Sequence, residues 1–105
     1  MKRILIVCAG GMSSSMVAKK AEEKFQADHL EISVTARGVG EGKKLLQAQE
    51  YDMYLVSPQT KNYLKEFEAA GKEANRKVVA IPPQAYVPIP MGTDKLCKLI
   101  LSEME

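Results

Sequence analysis

The chain has 105 residues, of which 46% are hydrophobic and 27% are charged, and its formal net charge is +2. This length predicts one domain over residues 1–105, and the interleaved acidic and basic residues argue against a nucleic-acid partner. The longest apolar run, residues 4–9, is far shorter than the roughly 20 residues that span a bilayer, so the chain is not expected to cross a membrane.

Predicted strands and helices alternate along the chain. Residues 2–7 form a first strand that is apolar on both faces, which is typical of the interior of a parallel sheet. A helix follows over residues 14–27, and residues 30–36 alternate apolar and polar side chains as a half-buried strand near an edge. After a glycine-rich turn, the same order continues with a helix over about 41–49, a strand over 52–57, a helix over 60–74, a strand over 77–81, a proline-rich loop over 82–90, and a helix from Thr93 or Asp94 to about 103.

Four successive pairs of strand and helix predict an α/β fold with a four-stranded parallel sheet and helices on both faces. Right-handed crossover connections make 2-1-3-4 the expected strand order. Ligands bind such sheets beyond the carboxyl ends of the strands, at the point where the order reverses. That point lies between the first and third strands, and Cys8 is expected there.

The segment ILIVCAGGMSSSM, residues 4–16, places Cys8 between a strand and the start of a helix. Gly10 and Gly11 allow a tight turn, and successive N–H groups of a loop at a helix N-terminus form a nest for an anion. The same field stabilises a thiolate, and the serines at 13–15 add hydroxyl donors. These features favour a nucleophilic Cys8 in a phosphoryl cradle over a cysteine that is only a small buried hydrophobe.

Two chemistries place a phosphocysteine at such a loop. A tyrosine phosphatase has an arginine that clamps the phosphoryl oxygens, and Ser14 stands at that position here. The loop after the fourth strand, PPQAYVP, offers no carboxylic acid to protonate a leaving group. What remains is a site that accepts a phosphoryl group and holds it without rapid hydrolysis. A cysteine-based phosphatase or arsenate reductase, and a module that only binds a phosphorylated partner, stay open as alternatives.

The segment ILIVCAGGMSSSM resembles the phosphorylation loop of enzyme IIB components of the bacterial phosphoenolpyruvate-dependent sugar phosphotransferase system, in the lactose/cellobiose family. YDMYLVSPQTKNYLKEF is similar to that family's third strand and the helix after it. AIPPQAYVPIPMGTDKLCKLIL resembles its closing strand, tyrosine-bearing loop and final helix. The resemblance covers essentially the whole chain and implies a fold like that of low-molecular-weight tyrosine phosphatase. In one departure, Val87, Pro88, Ile89 and Pro90 follow Tyr86, where family members often carry Tyr-Gly and a methionine pair.

This resemblance implies a phosphoryl relay that uses a phosphocysteine. Cys8 would take the group from a phosphohistidine of a IIA protein and pass it to a sugar bound at the cytoplasmic face of a IIC membrane transporter. A β-disaccharide such as cellobiose, chitobiose or lactose is the expected sugar. Backbone N–H groups and hydroxyls of the loop would hold the phosphate, namely Ala9, Gly10, Gly11, Met12, Ser13, Ser14 and Ser15. No metal or other cofactor is required.

A few further residues have both a functional and a structural interpretation. Gln59 and Tyr86 follow the third and fourth strands, so they either line the cradle or pack the loops. Met12 either contacts a partner or packs over its own loop. His29 is predicted to be a solvated surface residue rather than a second phosphocarrier, and Cys97 to be buried by the last helix. Because the chain shows no export signal, both cysteines are expected to be reduced thiols in a cytoplasm.

Overall fold

The computed structural model describes residues 2–8, 12–86 and 89–104, with the backbone alone for residues 12–14. Its strands are β1 (Lys2–Cys8), β2 (Ile32–Gly38), β3 (Met53–Val56) and β4 (Lys77–Ala80). Its helices are α1 (Met12–Ala27), α2 (Val39–Gln47), α3 (Leu64–Ala74) and α4 (Pro90–Met104), with 3-10 segments over Pro58–Tyr63 and Pro83–Ala85. No helix within these ranges is both long enough and apolar enough to cross a bilayer.

The strands form one parallel sheet in the order β2-β1-β3-β4, which confirms the predicted topology. β1 lies in the interior of this sheet, where Ile4 is opposite Val34 of β2 and Met53 of β3. The side chains of residues 4–8 are all buried, because strands cover both edges of β1 and helices cover both faces.

Successive side chains of β1 point to opposite faces of the sheet and so enter two separate cores. Ile4 and Ile6 belong to the core beneath α1 and α4, which also contains Val17, Ala18, Ala21, Phe25, Leu96, Cys97 and Ile100. Leu5 and Val7 belong to the core beneath α2 and α3, which also contains Leu46, Tyr54, Val56, Phe67 and Ala74. Helices on both faces of the sheet are therefore confirmed.

The strand predicted over residues 30–36 begins later, at Ile32. The reason is that Leu30 belongs to the end of α1: His29 adopts a left-handed conformation with φ of 61°, and the Leu30 N–H donates to the Phe25 carbonyl at 2.8 Å. This arrangement is the Schellman motif, which satisfies carbonyl groups in the last helical turn. Leu30 is thus used to terminate a helix before the strand can start.

Besides α2, which is described below, three helices begin at different residues from those predicted. α1 begins at Met12, before the predicted start at residue 14, and α4 begins at Pro90, before Thr93. Proline suits a first helical turn because the N–H that it lacks has no intrahelical partner there. α3 begins only at Leu64, because a 3-10 segment occupies the first part of the helix predicted over 60–74.

The glycine-rich turn predicted at Gly38, Gly40 and Gly42, before the second helix, is largely part of that helix. α2 begins at Val39, so Gly40 and Gly42 are helical. A Cβ atom on Gly42 would lie 3.0 Å from Cγ2 of Val7, which is tighter than an ordinary contact. Gly42 therefore allows α2 to lie close to the end of β1, a packing role rather than a turn role.

Candidate functional site

Cys8 is the last residue of β1 and lies at the carboxyl edge of the sheet. It is opposite Gly38 of β2, and α1 begins soon after it at Met12. β1 lies between β2 and β3, so this edge is where the strand order reverses. Parallel α/β sheets bind their ligands at that point. The side chain of Cys8 is only 3% exposed, so its thiol is covered by the surrounding structure.

The thiol of Cys8 is bonded to the neighbouring edge strand. Its Sγ donates a hydrogen bond to the backbone carbonyl of Arg37 at 3.3 Å, and Arg37 is 29 residues away in sequence. A thiolate has no proton to donate, so this hydrogen bond belongs to the protonated cysteine. The carbonyl of Arg37 therefore orients the thiol when it carries its proton, and nucleophilic attack by the sulfur requires this bond to break.

The side chain of Arg37 lies on the opposite face of the sheet from the Cys8 thiol that its carbonyl contacts. Arg37 is opposite Val7 in the register, so its side chain lies on the α2 and α3 face, whereas alternation places the Cys8 side chain on the other face. Its Nε lies 3.2 Å from Glu41 Oε2, and its Nη1 donates to the Ala36 carbonyl at 2.8 Å. In the described structure the guanidinium is thus engaged on the opposite face from the thiol.

Two buried hydroxyl side chains lie under the end of β1. Ser57 and Thr60 are 0% and 1% exposed, and their hydroxyl oxygens are 3.0 Å apart. The backbone N–H of Ser57 donates to the Val7 carbonyl at 3.0 Å, and the Thr60 hydroxyl lies 3.3 Å from the same oxygen. That carbonyl belongs to the peptide bond that joins Val7 to Cys8. The turn after β3 therefore contacts the peptide group directly before Cys8, whose sulfur is the candidate nucleophile.

The predicted phosphate-binding segment is only partly within the described structure. Ala9, Gly10 and Gly11 lie outside the described residues, so their predicted role is not tested. The chain resumes at residues 12–14, whose backbone forms the first turn of α1 and whose side chains are likewise outside the description. Ser15 follows in the same helix with an exposed side chain. A phosphate cradle formed by residues 9–15 stays a prediction.

Gln59 and Tyr86 follow β3 and β4 as expected, but their environments differ. Gln59 is exposed in the 3-10 segment, directly before the buried Thr60. Tyr86 is half-buried and packs against the core beneath α1 and α4. This contact agrees with the interpretation in which Tyr86 packs its loop. That Gln59 or Tyr86 lines the cradle stays a prediction.

The second cysteine and the only histidine have the structural roles that their sequence context indicates. Cys97 is 2% exposed within the core, and its Sγ donates to the Ala21 carbonyl at 3.7 Å. Burial raises the pKa of the Cys97 thiol from 9.0 to about 11. His29 is exposed at the end of α1. Both positions are far better suited to packing and helix termination than to nucleophilic chemistry.

Three groups near Cys8 were not predicted from the sequence, namely the carbonyl of Arg37 and the hydroxyls of Ser57 and Thr60. A local signal for the last two exists in SPQT, because the Thr60 N–H donates to the Ser57 carbonyl at 3.0 Å in a turn of ordinary kind. Nothing local indicates that Thr60 reaches Val7, which is 53 residues away. Only the pairing of β1 with β3 brings them together.

Comparisons with known proteins agree on the family. The family described as "PTS system, Lactose/Cellobiose specific IIB subunit" matches residues 3–96. The chain is 31% identical over 86 residues, or 82% of each protein, to the "PTS system oligo-beta-mannoside-specific EIIB component" of Bacillus subtilis (strain 168).

Solved structures share the fold. The lactose-specific IIB component domain of Streptococcus pneumoniae has a TM-score of 0.85 at 18% identity, over 99% of this chain and 98% of that one. The cellobiose-specific phosphotransferase IIB component of Borrelia burgdorferi has a TM-score of 0.73 at 23% identity, over 96% and 89%. These IIB domains have a tyrosine-phosphatase-like fold, which confirms that prediction. The chain belongs to the lactose/cellobiose-specific IIB family of the sugar phosphotransferase system.

Proposed function

We propose that this chain is a phosphoryl carrier in sugar uptake and that Cys8 carries the phosphoryl group. The observation that supports this most directly is the position of Cys8 at the end of β1, at the point where the strand order reverses. Both thiols are buried, but Cys97 lies in α4 within the core beneath α1 and α4, where burial raises its pKa. Of the two thiols, Cys8 is the one at the edge where ligands bind to this type of sheet.

In the first step, the sulfur of Cys8 attacks the phosphorus of a phosphohistidine on a IIA protein. The S–P bond forms while the N–P bond breaks, and the thiol proton goes to the released imidazole nitrogen. In the second step, a sugar hydroxyl on a IIC transporter attacks the same phosphorus. The O–P bond forms while the S–P bond breaks, and the hydroxyl proton returns the sulfur to a thiol. Both steps depend mainly on positioning and electrostatics.

Membership of the family supports the remaining parts of the proposal. Residues 1–105 act as a single IIB domain in the cytoplasm, where IIA is the donor and the IIC transporter with its bound sugar is the acceptor. The backbone and hydroxyls of residues 9–15 hold the phosphoryl oxygens, with Gln59 and Tyr86 at the rim. The sugar is a β-linked disaccharide such as cellobiose, chitobiose or lactose, and the name of the Bacillus relative adds oligo-β-mannosides to these candidates.

The proposal is tested by incubating the chain with a phosphorylated lactose/cellobiose-type IIA protein and measuring its intact mass. We expect the mass of one phosphoryl group to be added and peptide mapping to locate it on Cys8. Cys8→Ser should take up none, whereas Cys97→Ser is the matched control and should be phosphorylated normally. Phosphorylation of His29 with Cys8 unmodified, or no added mass on the wild-type chain, would contradict the proposal.

A further inference from the structure

The hydroxyls of Ser57 and Thr60 form a buried polar pair beside the carboxyl end of β1. Removing hydroxyls from water is unfavourable unless they are hydrogen-bonded, so such a pair requires partners. Here the partners are present: the two hydroxyl oxygens are 3.0 Å apart, and Thr60 Oγ1 is also 3.2 Å from the Ser57 carbonyl and 3.3 Å from the Val7 carbonyl. Because a hydroxyl carries a single proton, Thr60 shares that proton between the Ser57 and Val7 carbonyls, and its oxygen can accept from the Ser57 hydroxyl.

The contact with Val7 adds to what the sheet alone provides. Parallel pairing already gives the Val7 carbonyl one donor, the Ser57 N–H at 3.0 Å. A carbonyl oxygen has two lone pairs and can accept a second hydrogen bond, and the Thr60 hydroxyl lies within reach of it at 3.3 Å. Because the peptide group is planar, fixing this carbonyl also fixes the plane from which the N–Cα bond of Cys8 departs.

Cys8 is therefore held from both neighbouring strands. On the β3 side, Ser57 and Thr60 hold the carbonyl that precedes it, and on the β2 side its Sγ donates to the Arg37 carbonyl at 3.3 Å. When the sulfur attacks phosphorus, the bond to Arg37 breaks, and the contacts on the β3 side are the ones that do not involve the reacting atom. The contacts from Ser57 and Thr60 can keep the Cys8 backbone in the same orientation before and after the phosphoryl group arrives.

We infer that Thr60, oriented by Ser57, is a positioning residue for phosphoryl transfer at Cys8. Its hydroxyl fixes the Val7–Cys8 peptide, and so the line along which the sulfur meets the phosphorus. Phosphoryl transfer requires the attacking and leaving atoms to lie in line, and a misplacement of about 1 Å costs as much as 100-fold in rate. This inference rests on the proposed function, since it assigns Thr60 a role within the transfer from IIA.

The test compares two substitutions at the same residue. Thr60→Val removes the hydroxyl and keeps the branched shape, while Thr60→Ser keeps the hydroxyl and removes a methyl group. Single-turnover transfer from a phosphorylated lactose/cellobiose-type IIA is measured over a range of IIA concentrations, on protein shown by circular dichroism to be folded. We expect Thr60→Val to lower the rate at saturating IIA by about tenfold to 100-fold, with the half-saturating concentration unchanged. Thr60→Ser should remain close to the wild type.

A role in stability alone gives a different pattern. If folded Thr60→Val transfers at the wild-type rate, or if Thr60→Ser loses as much rate as Thr60→Val, the hydroxyl does not position Cys8 and the inference is wrong. Should Thr60→Val fail to fold, Ser57→Ala takes its place, because it leaves Thr60 present but removes the hydroxyl that orients it. We expect Ser57→Ala to lower the saturated rate as well, and an unchanged rate would overturn the inference.

The same experiment separates this inference from the proposed function. A wild-type chain that accepts phosphate on Cys8, together with a folded Thr60→Val at full rate, overturns the role of Thr60 and leaves the carrier function in place. A wild-type chain that accepts no phosphate from IIA overturns both. Cys8→Ser, measured in parallel, gives the background rate of phosphoryl transfer in the absence of the nucleophile.

Discussion

Of Gly38, Gly40, Gly42 and Gly71, Gly71 in α3 is the one at which an added methyl group should be most damaging. A Cβ atom there would lie 2.6 Å from Cγ2 of Val78 and 2.8 Å from the carbonyl oxygen of Arg76. The chain folds back at this point because Asn75 adopts a left-handed conformation and the Arg76 N–H donates to the Gly71 carbonyl at 2.8 Å. Backbone in this Schellman motif has little room to move, so Gly71→Ala should strain the junction of α3 with β4.

The expected size of the effect follows from two opposing contributions. Alanine in a helix interior is favoured over glycine by about 0.5–1 kcal/mol. Inserting a methyl group into a filled space costs about 1–3 kcal/mol. Because two contacts are under 3.0 Å and one of them is backbone, the second contribution should dominate. We expect Gly71→Ala to lower the free energy of unfolding by about 1–2 kcal/mol, which for a domain of this size lowers Tm by several degrees.

Gly40→Ala is the matched control, because Gly40 is also helical but has no atom within 4 Å of an added Cβ. It should raise the free energy of unfolding by no more than about 0.5–1 kcal/mol, the helix-interior value, because Gly40 lies in the first turn of α2. The chain contains no tryptophan, so urea unfolding is best followed by far-UV circular dichroism. A Gly71→Ala variant as stable as the wild type, or a Gly40→Ala variant that loses as much stability, would refute this reasoning.

Two further predictions concern the thiol in the core and the site itself. In the unfolded chain Cys97 loses its proton near its ordinary pKa of 9.0, whereas in the folded chain it keeps the proton up to about pH 11. The contribution of Cys97 to the free energy of unfolding should therefore fall as the pH rises from about 9 to about 11. The stability difference between the wild type and Cys97→Ser, measured by urea unfolding at each pH, should therefore shrink over this range, and two parallel curves would contradict the assignment. Hydrolysis of p-nitrophenyl phosphate should be negligible, because Ser14 stands where a phosphatase has its arginine and the Arg37 guanidinium is bound to Glu41 and Ala36. A wild-type turnover of about 1 per second or more would favour the phosphatase instead.

The sequence by itself determined the order of the elements, the parallel sheet and the strand order. Apolar periodicity distinguishes strands from helices locally, and the right-handed crossover rule then leaves few ways to arrange four strands. The same reasoning placed Cys8 at the carboxyl end of the first strand, since that follows from its position after KRILIV. Local context also indicated that Cys97 is buried and that His29 is exposed, as the structure has them.

Only the tertiary structure shows which groups lie around Cys8 and which glycines are needed for close packing. The Thr60 hydroxyl and the Val7 carbonyl are 53 residues apart, and the Cys8 sulfur and the Arg37 carbonyl are 29 apart. Such pairs depend on strand register, and a pattern of apolar residues specifies which face a side chain takes rather than which atom lies opposite it. Gly42 likewise resembled a turn residue in the sequence, because glycine has no side chain to show whether it serves chain reversal or the close packing of a helix on a strand.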